Sequence, residues 1–154
     1  MKISIIAVGR LGRSAESDMA KAYAERATAA GRALGLGPVE VIEVEARKPG
    51  KPAEAEVLTA QIGEAHLIAC DEHGAALASR DFAGRIAALR DQGVRRLAFV
   101  IGGADGLDPA LLRSARERLA FGPQTWPHAL ARVMLAEQVY RAVTILAGSP
   151  YHRD

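Results

Sequence analysis

The feature that most constrains the fold is an alternation of short apolar runs with longer stretches of helical periodicity. Residues 3–8, 39–44, 66–71 and 96–101 are rich in apolar and β-branched side chains, as expected for buried strands, and residues 119–121 form a shorter fifth run. Helical patterns separate them. This order predicts an α/β fold: a mostly parallel sheet with helices on both faces.

Length and composition indicate one domain over residues 1–154. Hydrophobic residues make up 49% of the chain and charged residues 25%, which is enough apolar material for a core. The single cysteine, Cys70, excludes an intrachain disulfide and favours a reducing, cytoplasmic setting. The four histidines lack metal-ligand spacing, so we expect no metal site. No apolar stretch reaches the roughly 18 residues of a membrane span, which predicts a soluble protein.

Three segments follow predicted strands and are therefore candidates for a shared ligand site. They are Cys70 with Asp71, the glycine-rich loop 102–106, and the loop 122–127. Parallel sheets bind ligands beyond the carboxyl ends of their strands. The glycine-rich loop matches neither G-x-G-x-x-G nor a Walker motif. Taken alone, it indicates a tight turn before a helix that Asp108 caps and Pro109 begins.

The loop 122–127 is stiffened by two prolines, which fix φ and remove N–H donors. A stiff loop of this kind suits the presentation of backbone groups to a flat ring. We interpret Trp126 first as a plug of the core between this loop and the following helix. His128 is expected to cap that helix, and Glu137 with Arg141 to form a salt bridge on its surface.

The last residues, Ser149 to Asp154, would by default be a frayed terminus. Tyr151, His152 and Arg153 nevertheless combine an aromatic ring, an imidazole and a guanidinium. Aromatic rings stack on unpaired bases and arginine binds phosphate. The net charge of +2 is too small to establish a nucleic-acid partner on its own. Apart from histidines, every basic residue after Lys51 is an arginine, which suits bidentate phosphate binding.

Four stretches taken together resemble the ribosomal RNA large subunit pseudouridine N3-methyltransferase H family, within the SPOUT class of knotted methyltransferases. They are residues 7–9, 101–107, 126–142 and 150–154, in order and at the expected length. Three departures from the family pattern are noted. Cys70 stands where leucine is common, Ala104 and Asp105 replace a Pro-Glu pair, and Trp126 replaces a smaller apolar residue that borders the cofactor pocket.

The resemblance implies a C-terminal trefoil knot, a homodimer with each site near the interface, and S-adenosylmethionine as cofactor. It implies methylation of N3 of a pseudouridine in a 23S rRNA hairpin loop, with the assembled ribosome as substrate. Carried over by position, the cofactor would be bound by Cys70, Gly103, Gly122, Pro123, Gln124, Thr125, Trp126 and Pro127.

Substrate binding and catalysis are expected to depend on the last helix and the tail. Arg132, Arg141 and Tyr151 are the candidates for contact with the RNA, Tyr151 by stacking. Arg153 or Arg141 would stabilise negative charge that develops on the base. His152 is the candidate for removal of the N3 proton, because histidine titrates near neutrality, although water is an alternative acceptor.

Three other functions fit parts of the sequence. A non-enzymatic ribosome-associated RNA-binding factor would use the basic loops and the tail alone. A nucleotide-dependent dehydrogenase or flavodoxin-like protein fits the fold class but lacks the fingerprint. A SPOUT enzyme that acts on transfer RNA shares the same chemistry.

Overall fold

The computed structural model describes residues 1–153, and Asp154, the last residue of the predicted tail, lies outside them. Ten regular elements follow the predicted alternation. In chain order they are β1 (Lys2–Val8), α1 (Ala15–Gly31), β2 (Val39–Val44), α2 (Lys51–Ile62), β3 (His66–Ala76), α3 (Ser79–Asp91), β4 (Arg96–Ile101), α4 (Pro109–Ser114), β5 (Glu117–Ala120) and α5 (His128–Leu146).

The five strands form one sheet in the order β2-β1-β4-β3-β5, and every neighbouring pair is parallel. Side chains alternate across it, so Ile3 and Ile5 of β1 face one layer while Ile6 and Val8 face the other. Helices α1, α3 and α5 cover the first face, and α2 and α4 cover the second. The predicted α/β class is confirmed. The trefoil knot stays a prediction.

The residues before α1 and α4 cap these helices with their side chains, whereas α5 lacks the side-chain cap that was predicted for it. The Ser14 hydroxyl accepts the Ser17 N–H at 3.1 Å, and the Asp108 carboxylate accepts the Ala110 N–H at 2.7 Å. The prediction that His128 caps α5 is wrong, because Pro127 occupies the cap position and has no side-chain acceptor. The first N–H groups of α5 are therefore left without a side-chain partner.

Strand β3 is longer than predicted because a bulge interrupts it. Cys70 and Ala75 both pair with Leu119, so residues 71–74 leave the ladder between them. Glycine at position 74 allows the strand to rejoin the ladder with β5, since a Cβ there would lie 2.6 Å from the Leu119 nitrogen. The polar residues of the bulge resembled a loop in the sequence, and they protrude at the carboxyl edge of the sheet.

A buried arginine fastens α5 to the edge of the sheet. Arg132 has no solvent exposure, and its guanidinium donates to the Val8 carbonyl at 3.0 Å, to the Gly9 carbonyl at 3.2 Å and to Glu43 at 2.8 Å. Glu43 also accepts the Leu11 N–H at 3.1 Å. Burial lowers the pKa of Arg132, and the adjacent Glu43 carboxylate opposes that shift.

Replacing Arg132 by methionine is expected to destabilise the fold, because the carbonyls of β1 and the Glu43 carboxylate lose their donor. Glu43 is partly exposed, so we expect the low end of the range for broken buried pairs, about 3 kcal/mol. That corresponds to a fall in Tm of about 6–12 °C, measured at one protein concentration.

Arg10→Met provides the control, since its ion pair with Glu45 is exposed on both sides. It should change stability by less than about 1 kcal/mol. Equal losses in the two variants would contradict the role given to Arg132.

Candidate functional site

The carboxyl ends of β3, β4 and β5 open into one cavity of about 780 Å³. Its walls come from the β3 bulge, the glycine-rich loop and the segment before α5. Cys70, Gly103, Gln124, Thr125, Trp126 and Pro127 are the predicted cofactor residues that line it. The size suits a small organic ligand, and sites of this kind lie at strand ends in parallel sheets.

The glycine-rich loop is both a tight turn and a wall of the cavity. The Gly106 N–H donates to the Gly103 carbonyl at 3.0 Å, and Gly106 has φ of +79°. A Cβ on Gly102 would lie 2.7 Å from the Gly106 carbonyl carbon, so this position accepts only glycine. At Gly103 a Cβ would lie 3.1 Å from the nearer Glu54 carboxylate oxygen. The loop therefore has no side chain at Gly102 and Gly103, while Ala104 and Asp105 also line the cavity.

Trp126 is not the core plug that the sequence suggested. It is 39% exposed, lines the cavity, and donates its indole N–H to the Phe121 carbonyl at 3.2 Å. Thr125 donates to Glu72 of the β3 bulge at 3.1 Å. Two predicted members of this loop lie elsewhere: Gly122 lines a neighbouring groove, and Pro123 is exposed.

Cys70 lies at the base of the cavity and is chemically quiet. Burial raises the pKa of its thiol to about 12, so the thiolate is not formed near neutral pH. A protonated thiol is a poor nucleophile and a poor metal ligand. Residues 1–153 also contain no group of three side chains that would hold a metal ion. At Cys70 the groups offered to a ligand are those of the backbone.

The tail packs on the outer face of α5 around one carboxylate. Glu137 accepts the Arg141 Nε–H at 3.0 Å and the Tyr151 hydroxyl at 3.0 Å. The Arg141 guanidinium lies 4.9 Å from the centre of the Tyr151 ring, and its Nη1 is 3.3 Å from Nδ1 of His152. The tail is therefore ordered by a network of charge, hydrogen bonds and ring contacts and is not frayed.

The same contacts set the ionisation of this network. Burial, followed by the adjacent Glu137 carboxylate, raises the pKa of Tyr151 well above its ordinary value, so the phenol stays protonated. The hydrogen bond that Arg141 donates to the Glu137 carboxylate raises the pKa of Arg141. The network thus presents a permanent cation, Arg141, beside a neutral phenol at physiological pH.

The predicted site residues fall into separate places within one chain. None of residues 149–153 lines the cavity that Cys70 and Gly103 share. Arg132, predicted to contact substrate, is fully buried beneath the loop after β1 and has no surface to offer. Its periodic position on α5 could not reveal this, because the burial depends on Glu43 and on β1 carbonyls that lie far away in the sequence.

Sequence reasoning missed the central role of Glu137. The spacing of four residues between Glu137 and Arg141 predicts a salt bridge on the helix surface, whereas both side chains are mostly covered. The spacing alone could not reveal this role, because it depends on the hydrogen bond that the Tyr151 hydroxyl in the tail donates to Glu137. Lys51 and His128 were also missed as residues that line the cavity.

A second feature is an apolar groove of about 590 Å³ between α1, α3 and α5. Leu77 and Met19 line it and are 43% and 49% exposed, which is unusual for side chains of this size. Glu137 lies at its margin and joins the groove to the network around the tail. An exposed apolar surface of this kind is typical of a protein–protein contact.

Residues 1–153 contain no helix long and apolar enough to cross a membrane. A family model described as "Predicted SPOUT methyltransferase" matches residues 1–152. The chain is 74% identical to "Ribosomal RNA large subunit methyltransferase H" of Phenylobacterium zucineum over 154 residues, the whole of both chains. It is 66% identical to the protein of that name from Caulobacter vibrioides, covering 100% of this chain and 99% of that one.

Solved structures with this fold are much more distant in sequence. A probable methylase family protein from Haemophilus influenzae matches with a TM-score of 0.56 at 14% identity, over 99% of this chain and 70% of that one. A probable methyltransferase from Bordetella pertussis matches with a TM-score of 0.54 at 18% identity, over 92% and 96% of the two chains. At this identity the likeness extends to the fold alone.

The state of Cys70 predicts slow alkylation. At pH 8, iodoacetamide should modify the native protein at least about tenfold more slowly than the urea-unfolded protein, because burial raises the thiol pKa and lowers the thiolate fraction by more than the higher nucleophilicity of that thiolate offsets. Mass spectrometry over a time course measures both rates. Equal rates in the two states would contradict the shielded thiol.

Proposed function

This chain belongs to the ribosomal RNA large subunit methyltransferase H family of SPOUT methyltransferases, and on that basis we propose its reaction. It transfers a methyl group from S-adenosylmethionine to N3 of a pseudouridine in a 23S rRNA hairpin loop, acting in the cytoplasm on the assembled ribosome. The observation that carries this proposal is the single cavity that unites Cys70, Gly103 and the stiff loop before α5.

The residues around the cavity fit this cofactor. A flat adenine ring needs an apolar slot with backbone groups at its edges, and the segment from Gln124 to Pro127 offers both. Gly103 lines the cavity without a side chain, which suits close approach of its backbone to a ligand. Trp126 borders the opening and narrows it relative to a smaller side chain. When bound, S-adenosylmethionine supplies a methyl group already activated on a sulfonium.

The protein has to align the base and to stabilise the negative charge that develops on the base when N3 loses its proton. Alignment of reacting atoms removes a large entropic cost. Arg141 is suited to charge stabilisation, because Glu137 and the Tyr151 ring hold its guanidinium in one orientation. Arg153 is exposed at the end of the tail and is a second candidate cation.

The contact with Arg141 limits which ring nitrogen of His152 is available as a proton acceptor. Arginine can only donate, so the contact with Arg141 requires Nδ1 of a neutral His152 to accept. The neutral ring then carries its proton on Nε2. His152 would act as the proton acceptor only after Arg141 releases Nδ1, and solvent water remains the alternative acceptor.

We infer that the working unit is a homodimer in which the tail of one chain completes the cavity of the other. Two features support this. The tail network does not border its own cavity, and Glu137 joins that network to the exposed apolar groove. A second copy covering the groove would bury Met19 and Leu77 and bring a second tail to the interface.

Methyl transfer from radiolabelled S-adenosylmethionine to assembled ribosomes, free large subunits and transfer RNA, assayed in parallel, tests the reaction. We expect label in 23S rRNA of assembled ribosomes, located at N3 of one pseudouridine by nuclease digestion and mass spectrometry. Label in transfer RNA alone would favour a transfer RNA methyltransferase. Binding to ribosomes without any transfer would favour the non-enzymatic factor.

Gly103→Val is expected to weaken cofactor binding by at least about tenfold, because the new side chain meets the Glu54 carboxylate and displaces the loop. Isothermal titration with S-adenosylmethionine measures the effect. Gly84→Val is the matched control, since a Cβ at Gly84 meets nothing within 4 Å. Normal cofactor affinity in the Gly103 variant would mean that this loop does not border the cofactor.

Deleting residues 151–154 should abolish methyl transfer and leave cofactor affinity within about twofold, because the proposed cofactor contacts come from Cys70, Gly103 and the loop before α5 and not from the tail. Arg153→Ala, a change at an exposed position, separates loss of chemistry from loss of packing by Tyr151. Unchanged turnover in the truncated protein would eliminate the tail from the reaction.

Co-expression of the truncated chain with the Gly103→Val chain then tells which subunit's tail is used. If the tail acts on the partner, a mixed dimer contains one intact site and recovers activity that neither parent has. If each tail serves its own chain, the mixed dimer stays inactive.

A further inference from the structure

The proposed reaction requires a surface that holds the RNA beside the cavity. We propose that the loops after β1 and β2 form this surface and bind the phosphates that flank the target nucleotide. We call it the basic rim, defined as Arg10, Arg13, Arg47, Lys48 and Lys51. This inference rests on the proposed function and goes further by naming where the RNA backbone runs.

The register of the sheet brings the two loops together. Val8 is paired with Val44, so β1 and β2 end side by side and both loops leave from the same corner. The ion pair between Arg10 and Glu45, at 3.1 Å, joins the loops directly. Lys51 lines the cavity, so the rim is continuous with the site.

The charge of the rim is one-sided and exposed. Segments 9–14 and 45–51 contain five basic residues and one acid, Glu45, whereas the whole chain has a net charge of only +2. Arg10, Arg13, Arg47 and Lys48 are all exposed. Among residues 1–153, no ion pair involves Arg13, Arg47 or Lys48, so these cations are available to phosphate.

The opposite flank of the cavity has the other sign. Asp71 and Glu72 of the β3 bulge line that side, with Asp71 in an ion pair with Arg118, and Asp105 of the glycine-rich loop lies between the two flanks. Phosphates would be repelled there and attracted toward β1 and β2. The contrast gives the RNA one direction of approach, with its backbone on the rim and the target base over the cavity.

The backbone of the loop after β1, which is part of the rim, is also held in place by hydrogen bonds with Arg132 and Glu43. The Gly9 carbonyl receives two bonds from Arg132, and the Leu11 N–H donates to Glu43, so the backbone that carries Arg10 is fixed at two points. Helix α2 begins directly after the second loop, and its cap residue, Gly50, offers no side-chain acceptor. Its first N–H groups add a favourable field for an anion beside Lys48.

The double variant Arg47→Gln/Lys48→Gln tests the surface, because neither residue touches the cavity. The matched control is Arg95→Gln/Arg116→Gln, which removes the same charge from exposed arginines at the amino ends of β4 and β5, the opposite edge of the sheet. Three quantities are measured for each: KM for ribosomes, kcat, and affinity for a protein-free transcript of the target hairpin at several salt concentrations.

For the rim variant we expect KM to rise about tenfold at 0.1 M salt, with kcat and cofactor affinity within about twofold of the parent. The slope of log affinity against log salt should become shallower by about 1.5 to 2, as for two lost phosphate contacts. The control should match the parent. Unchanged KM and slope, or an equal loss in the control, would overturn the proposal.

Two further outcomes separate this inference from the reaction itself. If the rim variant binds the transcript normally but binds ribosomes weakly, the rim contacts a ribosomal protein and the RNA surface is wrong. If the parent transfers no methyl group to any RNA, the proposed reaction fails, while the transcript affinities still decide whether the rim binds RNA.

Discussion

The rest of the structure depends on one buried cation. Arg132 on α5 donates to the last carbonyls of β1 and to Glu43 of β2, so the helix is fixed to the corner where both strands end. A guanidinium without solvent contact needs partners for its donors, and both terminal nitrogens of Arg132 have them, whereas its Nε has no partner among residues 1–153. The bonds of the terminal nitrogens favour one placement of α5. The start of α5 thereby becomes a wall of the cavity, and its second half becomes the support for the tail.

With α5 placed in this way, the proposed functional surfaces lie in a row along the carboxyl edge of the sheet. The basic rim lies above β1 and β2, the cavity lies at the ends of β3, β4 and β5, and the network of Glu137, Arg141 and Tyr151 lies on the outer face of α5. A parallel sheet makes this possible because all its carboxyl ends share one edge. The network stands apart from its own cavity, and in the proposed homodimer a second copy at the exposed apolar groove would bring the cavity of one chain to the tail of the other.

Much of the fold was predictable because local signals agreed with the final structure. The bounds of β2 and β4, the cap at Asp108, and the convergence of three loops all followed from residue type, periodicity and strand order. The errors came from contacts between distant segments. The bulge in β3 needs Leu119 as its partner, the burial of Arg132 needs Glu43, and the exposure of Trp126 depends on how its loop leaves β5. The role of Glu137 depended on Tyr151, fourteen residues away.

The central claim is that the three loops at the carboxyl edge form the cofactor site. Titration of the ¹⁵N-labelled protein with S-adenosylmethionine, followed by NMR, tests it most directly. We predict the largest amide shifts at Cys70, Gly103, Gln124 and Thr125, which line the cavity. Shifts concentrated instead at Leu77, Ser79 and Gln138, which line the apolar groove, would contradict the assignment and move the cofactor to the other side of α5.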